Sequence, residues 1–184
     1  MNAVAGVRYR TATVNDVDGI AGLHADSWRR NYRGAYLDSY LDGDVFADRQ
    51  AVWADRLSAA GPDTITIVAN DGGEVVGFAH TLLDEHTEFG ALLDNLHVVH
   101  GRKGSGIGTG LMAETAAAVL GARPGRGLYL KVLEQNTPAQ AFYEARGGRC
   151  VGRELAGPFP GGGRAFALLY AWPDPSTLIP GPLR

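Results

Sequence analysis

HVVHGRKGSGIGTGLMAE, residues 97–114, places five glycines and the adjacent cations Arg102 and Lys103 between an apolar run and an alanine-rich segment of helical composition. Glycine loses more conformational freedom on folding than any other residue, so this concentration needs a physical reason. A glycine-rich turn that leaves a strand and opens a helix aims several main-chain N–H groups at one point and adds the positive end of the helix dipole. Bare main chain at Gly104, Gly106 and Gly108 lets a phosphate approach closely, with Arg102 and Lys103 adding charge at the rim. On its own the turn is equally compatible with a flexible connection into a helix. Two nucleotide-binding signatures do not fit it. The segment after Gly101, RKGSGIG, lacks the Gly-Lys-Ser/Thr ending of a Walker loop. Glycines at every second position, 104, 106, 108 and 110, do not give the Gly-x-Gly-x-x-Gly spacing, and the later segment GARPGRGLYLKV has no acidic ribose partner.

Working outward, the residues before and after the loop alternate strand and helix signals. VRYRT reads as a short strand, and Thr13 with Asp16 reads as a helix N-cap. A first helix carries Val17, Ile20, Ala21, Leu23 and His24 near one face, and Trp28, Tyr32 and Tyr36 at spacings of four predict a second over about 27–40. A third helix is expected from about Asp44 to Ala60. Two β-branched runs around Asn70-Asp71-Gly72-Gly73 predict a hairpin. ALLDNLHVV is the strand that leads into the loop, and a helix from about Ile107 to Leu120 leaves it. GLYLKVL is a further strand, and TPAQAFYEARG a helix with Pro138 in its first turn and Gly147 at its end. Strands at about 149–155 and 164–172 flank GPFPGGG. The order predicts one mixed α/β domain with crossover units in the middle, a core over 7–172 and a loose proline-rich tail over 173–184.

A chain of 184 residues with 45% hydrophobic content is large enough for a sizeable core, and a net charge of -3 with both signs interspersed gives no broad basic face for nucleic acid or an anionic membrane. MNAVAGVRYR lacks a cationic start followed by an apolar core, and no apolar run approaches the roughly 20 residues of a membrane span. The lone Cys150 allows no intramolecular disulfide, and free cysteines are usually buried, so an inert buried thiol in a reducing, cytoplasmic setting is expected. Five scattered histidines and one cysteine show no paired metal-ligand spacing.

Two segments together carry a family resemblance. LHVVHGRKGSGIGTGLM resembles motif A of the GNAT superfamily of acyl-CoA-dependent N-acyltransferases, with Lys103-Gly104-Ser105-Gly106-Ile107-Gly108 at the six positions of its pyrophosphate loop and Lys in place of the usual first residue. VLEQNTPAQAFYEARGG, about 30 residues on, resembles motif B through Asn136, Ala139, Phe142, Tyr143 and Gly147. HADSWRRNYRGAYLDSYLD resembles the first two helices of many bacterial members. The resemblance implies a mixed, mostly antiparallel sheet of about seven strands, splayed in the middle and flanked by four to five helices. It also implies acetyl-CoA as acyl donor, with the loop from Lys103 to Thr109 holding its pyrophosphate and the main chain of Leu96, His97 and Val98 bonding its pantetheine arm. The Val98 N–H would face the thioester oxygen, and Asn136 would cap its helix or bond the arm. Tyr143 would protonate the departing thiolate. A small-molecule or peptide amine would be the acceptor, attacked directly in a ternary complex, and a homodimer is the expected assembly. A non-catalytic acyl-CoA sensor on the same fold is the alternative.

The general base departs from the family's patterns. Leu92 stands where one subgroup has a central-strand Glu, and Lys131 where the ribosomal-protein alanine acetyltransferases carry theirs. Asp94, two residues from Leu92 and hence on its face of the strand, is the first candidate. His97, expected on the opposite face, has a suitable unperturbed pKa but reads first as a structural histidine. Glu85 and Glu88 read as solvated loop charges. Trp28, Tyr32 and Tyr36 are candidates for the acceptor pocket, or for an apolar face packed on the sheet.

Overall fold

The computed structural model describes residues 6–159 and 162–181. Its strands are β1 (Val7–Thr11), β2 (Thr64–Asp71), β3 (Glu74–His86), β4 (Gly90–Val98), β5 (Leu128–Leu133), β6 (Arg149–Ala156) and β7 (Ala165–Trp172). They form one sheet in the order β1-β2-β3-β4-β5-β7-β6. Every neighbouring pair is antiparallel except β4 and β5. Five helices flank it: α1 (Val17–Asn31), α2 (Asp38–Asp42), α3 (Val45–Ser58), α4 (Ile107–Ala122) and α5 (Thr137–Glu144). Only β4 and β5 need a crossover, and α4 supplies it, as parallel pairing requires.

Burial on the two faces follows the strand alternation. Ala91, Leu93, Leu128 and Leu130 join Ile107, Leu111 and Met112 of α4 and Tyr143 of α5 in the main core. Phe78 and Val68 point the other way, against Ile20, Leu23 and Trp53 of α1 and α3. The hairpin between β2 and β3 turns at Gly72 and Gly73, both at positive φ, where glycine carries no steric penalty. At the N-terminus of the first helical segment the Thr13 N–H donates to Asp16 Oδ2 at 2.8 Å, the second half of the expected cap. Asp16 is also held by two 2.8 Å bonds from Arg10.

Four expectations are corrected. The helix at 27–40 does not exist: α1 runs through Trp28 and ends at Asn31, Gly34 takes φ +84°, and the chain restarts as the single turn α2. α1 closes with the Tyr32 N–H on Trp28 O, and Gly34 then turns the chain off a helical path, although the four-residue spacing continues past it. Cys150 is exposed on β6, the outermost strand. Glu85 belongs to β3, which continues to His86. The segment after Trp172 includes a 3-10 turn, Pro175–Leu178, whose Pro175 and Leu178 are buried, Leu178 within the main core. Residues 1–5, the first half of the stretch MNAVAGVRYR read above, and 160–161 and 182–184 lie outside the described residues.

Two glycines of α4 separate packing from propensity. A Cβ at Gly110 would stand 2.0 Å from the Tyr9 hydroxyl oxygen, whereas one at Gly121 meets nothing within 4 Å. Gly110→Ala is therefore expected to lower stability by about 1–3 kcal/mol through overpacking. Gly121→Ala should raise it by up to about 1 kcal/mol. Urea midpoints of the two variants check the contrast.

Candidate active site at the sheet divergence

β4 and β5 pair only at Ala91 with Leu128, Leu92 with Tyr129 and Leu93 with Leu130. Beyond these pairs β5 stays bonded to β7 as far as Leu133, and β4 stays with β3 as far as Val98, so the two strands separate. Main-chain N–H and C=O groups along that side of residues 94–98 consequently lack a strand partner, and buried polar main chain demands one. Val99 N–H donates to Val76 on β3 at 3.0 Å, so the N–H of the preceding Val98 points by strand alternation into the gap. A cavity of about 850 Å³ fills the gap and reaches residues from both faces of the sheet, Ser27 and Trp28 from α1 as well as Phe142 and Tyr143 from α5.

At the mouth of the cavity is the glycine turn. Gly104 and Gly106 both have positive φ, +81° and +90°, and Gly106 is the N-cap of α4 with no side chain capping the helix. The first N–H groups of a 16-residue helix are thereby left for an external acceptor, with no acidic residue in the first turn to compete. Gly108 and Gly110 have different work. A Cβ at Gly108 would come within 3.1 Å of the Phe142 ring, and Gly110 accommodates Tyr9, so these positions fit α4 against its neighbours. Arg102 and Lys103 both line the cavity, and Arg102 is also held by Asp71 at 2.8 Å. The Ser105 hydroxyl donates back to Arg102 O at 2.6 Å. Ile107 is fully buried. Thr109 departs from the expected cofactor contact in its side chain: its hydroxyl accepts from Arg146, whose guanidinium stacks 3.5 Å over Phe142 and ties α4 to α5.

Asn136 caps α5, its Oδ1 accepting from the Ala139 N–H at 3.4 Å, and also lines the cavity. Two turns on, Tyr143 is 8% exposed, wedged edge-on against Phe142 and Trp172. Burial, with a smaller contribution from Tyr32, pushes its phenol well above the usual range, so it stays protonated.

Asp94 sits at a β-bulge. His80 pairs with Asn95 and Thr81 with Leu93, leaving Asp94 unpaired. The extra residue also resets the alternation, which overturns one expectation. His97 shares the α1/α3 face with Asp94: His97 Nδ1 lies 2.8 Å from Ser27 Oγ on α1, and Asp94 accepts from Arg56 on α3 at 3.2 Å. Burial, then Lys103, lowers the His97 pKa to about 3, so its imidazole is a poor acceptor for an ammonium proton.

Behind these groups lies a cluster that residue spacing alone did not reveal. Trp53 Nε1–H donates to His24 Nδ1 at 2.9 Å, and Phe78 packs against both rings. His80 stands edge-on to Trp53, its Nδ1 2.8 Å from Thr66 Oγ1, and burial helped by Arg56 lowers its pKa to about 4. Arg49 is 7% exposed and stacks 4.4 Å over Trp28. The residues Trp28, Tyr32 and Tyr36 come together despite the broken helix, with centroid separations of 4.8–5.9 Å. They both line the cavity and pack as an apolar cluster. Lys131 lines the cavity too, its amine 2.7 Å from Glu154. Among the described residues no group of three or more His, Cys, Asp or Glu is placed to hold a metal ion, and no helix is long and apolar enough to cross a membrane.

The sequence matches the family described as Acetyltransferase (GNAT) family over residues 25–148. A curated relative, the uncharacterized N-acetyltransferase YuaI of Bacillus subtilis (strain 168), is 28% identical over 177 residues, which cover 94% of this chain and 96% of YuaI. The PaiA N-acetyltransferase of Thermoplasma acidophilum, solved in complex with coenzyme A, superposes with a TM-score of 0.69 at 17% identity, covering 90% of this chain and 99% of that one. YncA of Salmonella typhimurium, solved with its cofactor acetyl-CoA, gives a TM-score of 0.64 at 14% identity, with 91% and 93% covered. At these identities the two structures share the fold.

The depressed histidines set a pH dependence of stability. His80 and His97 are neutral in the fold down to about 4 and 3, whereas the unfolded chain takes up protons near 6.5. Between those limits the unfolded state binds more protons, so stability is full above pH 6.5 and falls as the pH drops toward 3. Urea unfolding from pH 7 to 4 should show this slope. His80→Gln should flatten it, and an unchanged slope in that variant would remove His80 from the account.

Proposed function

Because the chain belongs to the Acetyltransferase (GNAT) family, we propose that it transfers acetyl from acetyl-CoA to a primary amine by direct attack in a ternary complex. The observation that carries this reading is the divergence of β4 and β5, which puts unpaired main chain, an uncapped helix N-terminus and a buried phenol around one cavity. The residues present fit the cofactor. Gly104 and Gly106, both at positive φ and the first with open space where a side chain would stand, suit a pyrophosphate against the amides that begin α4, with Lys103 adding charge. The exposed edge of Leu96, His97 and Val98 suits an extended pantetheine arm bonded as a strand would be.

Each protein group then has a chemical task. The Val98 N–H, aimed into the gap, donates to the thioester oxygen as negative charge builds on it. Asp94 takes the proton that the ammonium loses, and the free nitrogen lone pair attacks the carbonyl carbon to form the new C–N bond. The C–S bond breaks, the thiolate takes a proton from Tyr143, and the surplus proton on the acylated nitrogen is lost to the phenolate, which leaves a neutral amide and restores the phenol. A carboxylic acid of ordinary pKa would already be ionised at neutral pH, whereas the phenol still holds its proton. Burial that disfavours phenolate disfavours thiolate in the same cavity, which keeps the transfer feasible. Cys150, on the outermost strand and exposed, is not among the cavity's lining residues, which favours direct attack over an acyl-enzyme.

Two variants test the assignment. Gly106→Val should weaken acetyl-CoA binding by at least about tenfold in calorimetry, since a side chain both strains the positive φ and blocks the amides. Unchanged affinity would contradict the phosphate site. Tyr143→Phe should lower kcat by about 10²-fold while acetyl-CoA affinity stays within about twofold. Full turnover would remove Tyr143 as the acid.

A further inference from the structure

The acceptor end of the cavity carries an unmatched set of polar groups. Trp53 Nε1 can only donate, so His24 Nδ1 accepts and the ring proton lies on Nε2. That Nε2–H has no partner although His24 is 1% exposed and lines the cavity. Asn95 presents the opposite case: its amide nitrogen donates to Asp94 Oδ2 at 3.1 Å and to the Asp94 carbonyl, which fixes the amide's orientation and leaves Oδ1 buried without a donor. The same cavity is lined by the Arg56–Asp94 pair, joined by one contact of 3.2 Å with about a third of each side chain exposed. Arg56 lies with its guanidinium carbon 5.0 Å from the Trp53 ring, and only one arm of its fork is used on Asp94. An orphaned buried donor and acceptor that share a cavity with a paired cation and anion are complementary to a ligand bearing both charges close together.

Resting on the acetyl-transfer reading, we propose that the acceptor is an α-amino acid or a close amino-carboxylate analogue. Its carboxylate is taken by the Arg56 fork and the His24 Nε2–H, and its ammonium by Asp94 and Asn95 Oδ1. The two receptors are neighbours, as the two charged ends of an α-amino acid are. Trp28, Tyr32 and Tyr36 bound the remaining space and suit an apolar or aromatic side chain. Asp94 is the single carboxylate among the described lining residues, while Arg49, Arg56 and Lys131 share its end of the cavity, so a polycationic acceptor is disfavoured.

A release assay for free coenzyme A, run on the full chain with acetyl-CoA and a panel of amino acids, their decarboxylated amines, polyamines and dipeptides, tests this. Aromatic or aliphatic amino acids should exceed their decarboxylated counterparts in kcat/KM by at least about tenfold, because a charged hydrogen-bond pair is lost. Arg56→Met should collapse that ratio toward unity, and Arg56→Lys should restore part of it. Polyamines, simple amines or dipeptides outperforming amino acids would overturn the proposal while leaving acetyl transfer intact, as would an Arg56→Met variant that keeps the ratio. Release of coenzyme A with no amine of any class would overturn the acetyl-transfer reading itself.

Discussion

A parallel strand pair that stops pairing after three residues is the constraint on which the site depends. A sheet normally satisfies its main chain internally, and a central strand with one open edge leaves N–H and C=O groups that must find other partners. The gap persists because each strand is committed elsewhere: β5 is bonded along its whole length to β7, and β4 remains on β3 through a bulge that turns its course at Asp94. The cavity is the space between two well-paired halves of one sheet. Residues from both faces reach it, so a donor entering beside α4 and an acceptor entering beside α1 can meet within the sheet.

The glycine turn divides its labour in a way that composition hides. Gly104 and Gly106 give the main chain its left-handed turns and bare approach, whereas Gly108 and Gly110 exist for Phe142 and Tyr9. Of the five glycines, two thus shape the turn, two fit α4 to its neighbours, and a Cβ at Gly101 would meet nothing within 4 Å. The two uses support each other, since the packing fixes the direction of the helix that the turn opens.

Much of this was legible in the chain. Strand and helix order followed from periodicity and turn chemistry because most of those signals are local, as Asn70-Asp71-Gly72-Gly73 and Pro138 illustrate. The helix predicted over 27–40 is absent because a four-residue spacing cannot register a helix end at Asn31 and a glycine turn beyond it, while the aromatic rings still converge by tertiary packing. The side of the strand on which His97 lies differs from simple alternation for another reason. A bulge is decided by pairing with β3, and one inserted residue exchanges the faces of everything beyond it. The His24–Trp53 bond and the placement of Arg49 and Arg56 depend on how α1 and α3 pack across the sheet, which residue types alone do not specify.

The central claim is that the cofactor lies along the open edge of β4 with its phosphates at the start of α4. Amide chemical-shift mapping of the ¹⁵N-labelled chain during titration with coenzyme A tests it most directly. The account predicts the largest shifts at Gly104, Gly106, Ile107 and Gly108 and along Leu96 to Val98, with little change on the distal strands β1 and β6. Saturable binding that leaves those amides unmoved and shifts another surface would contradict it.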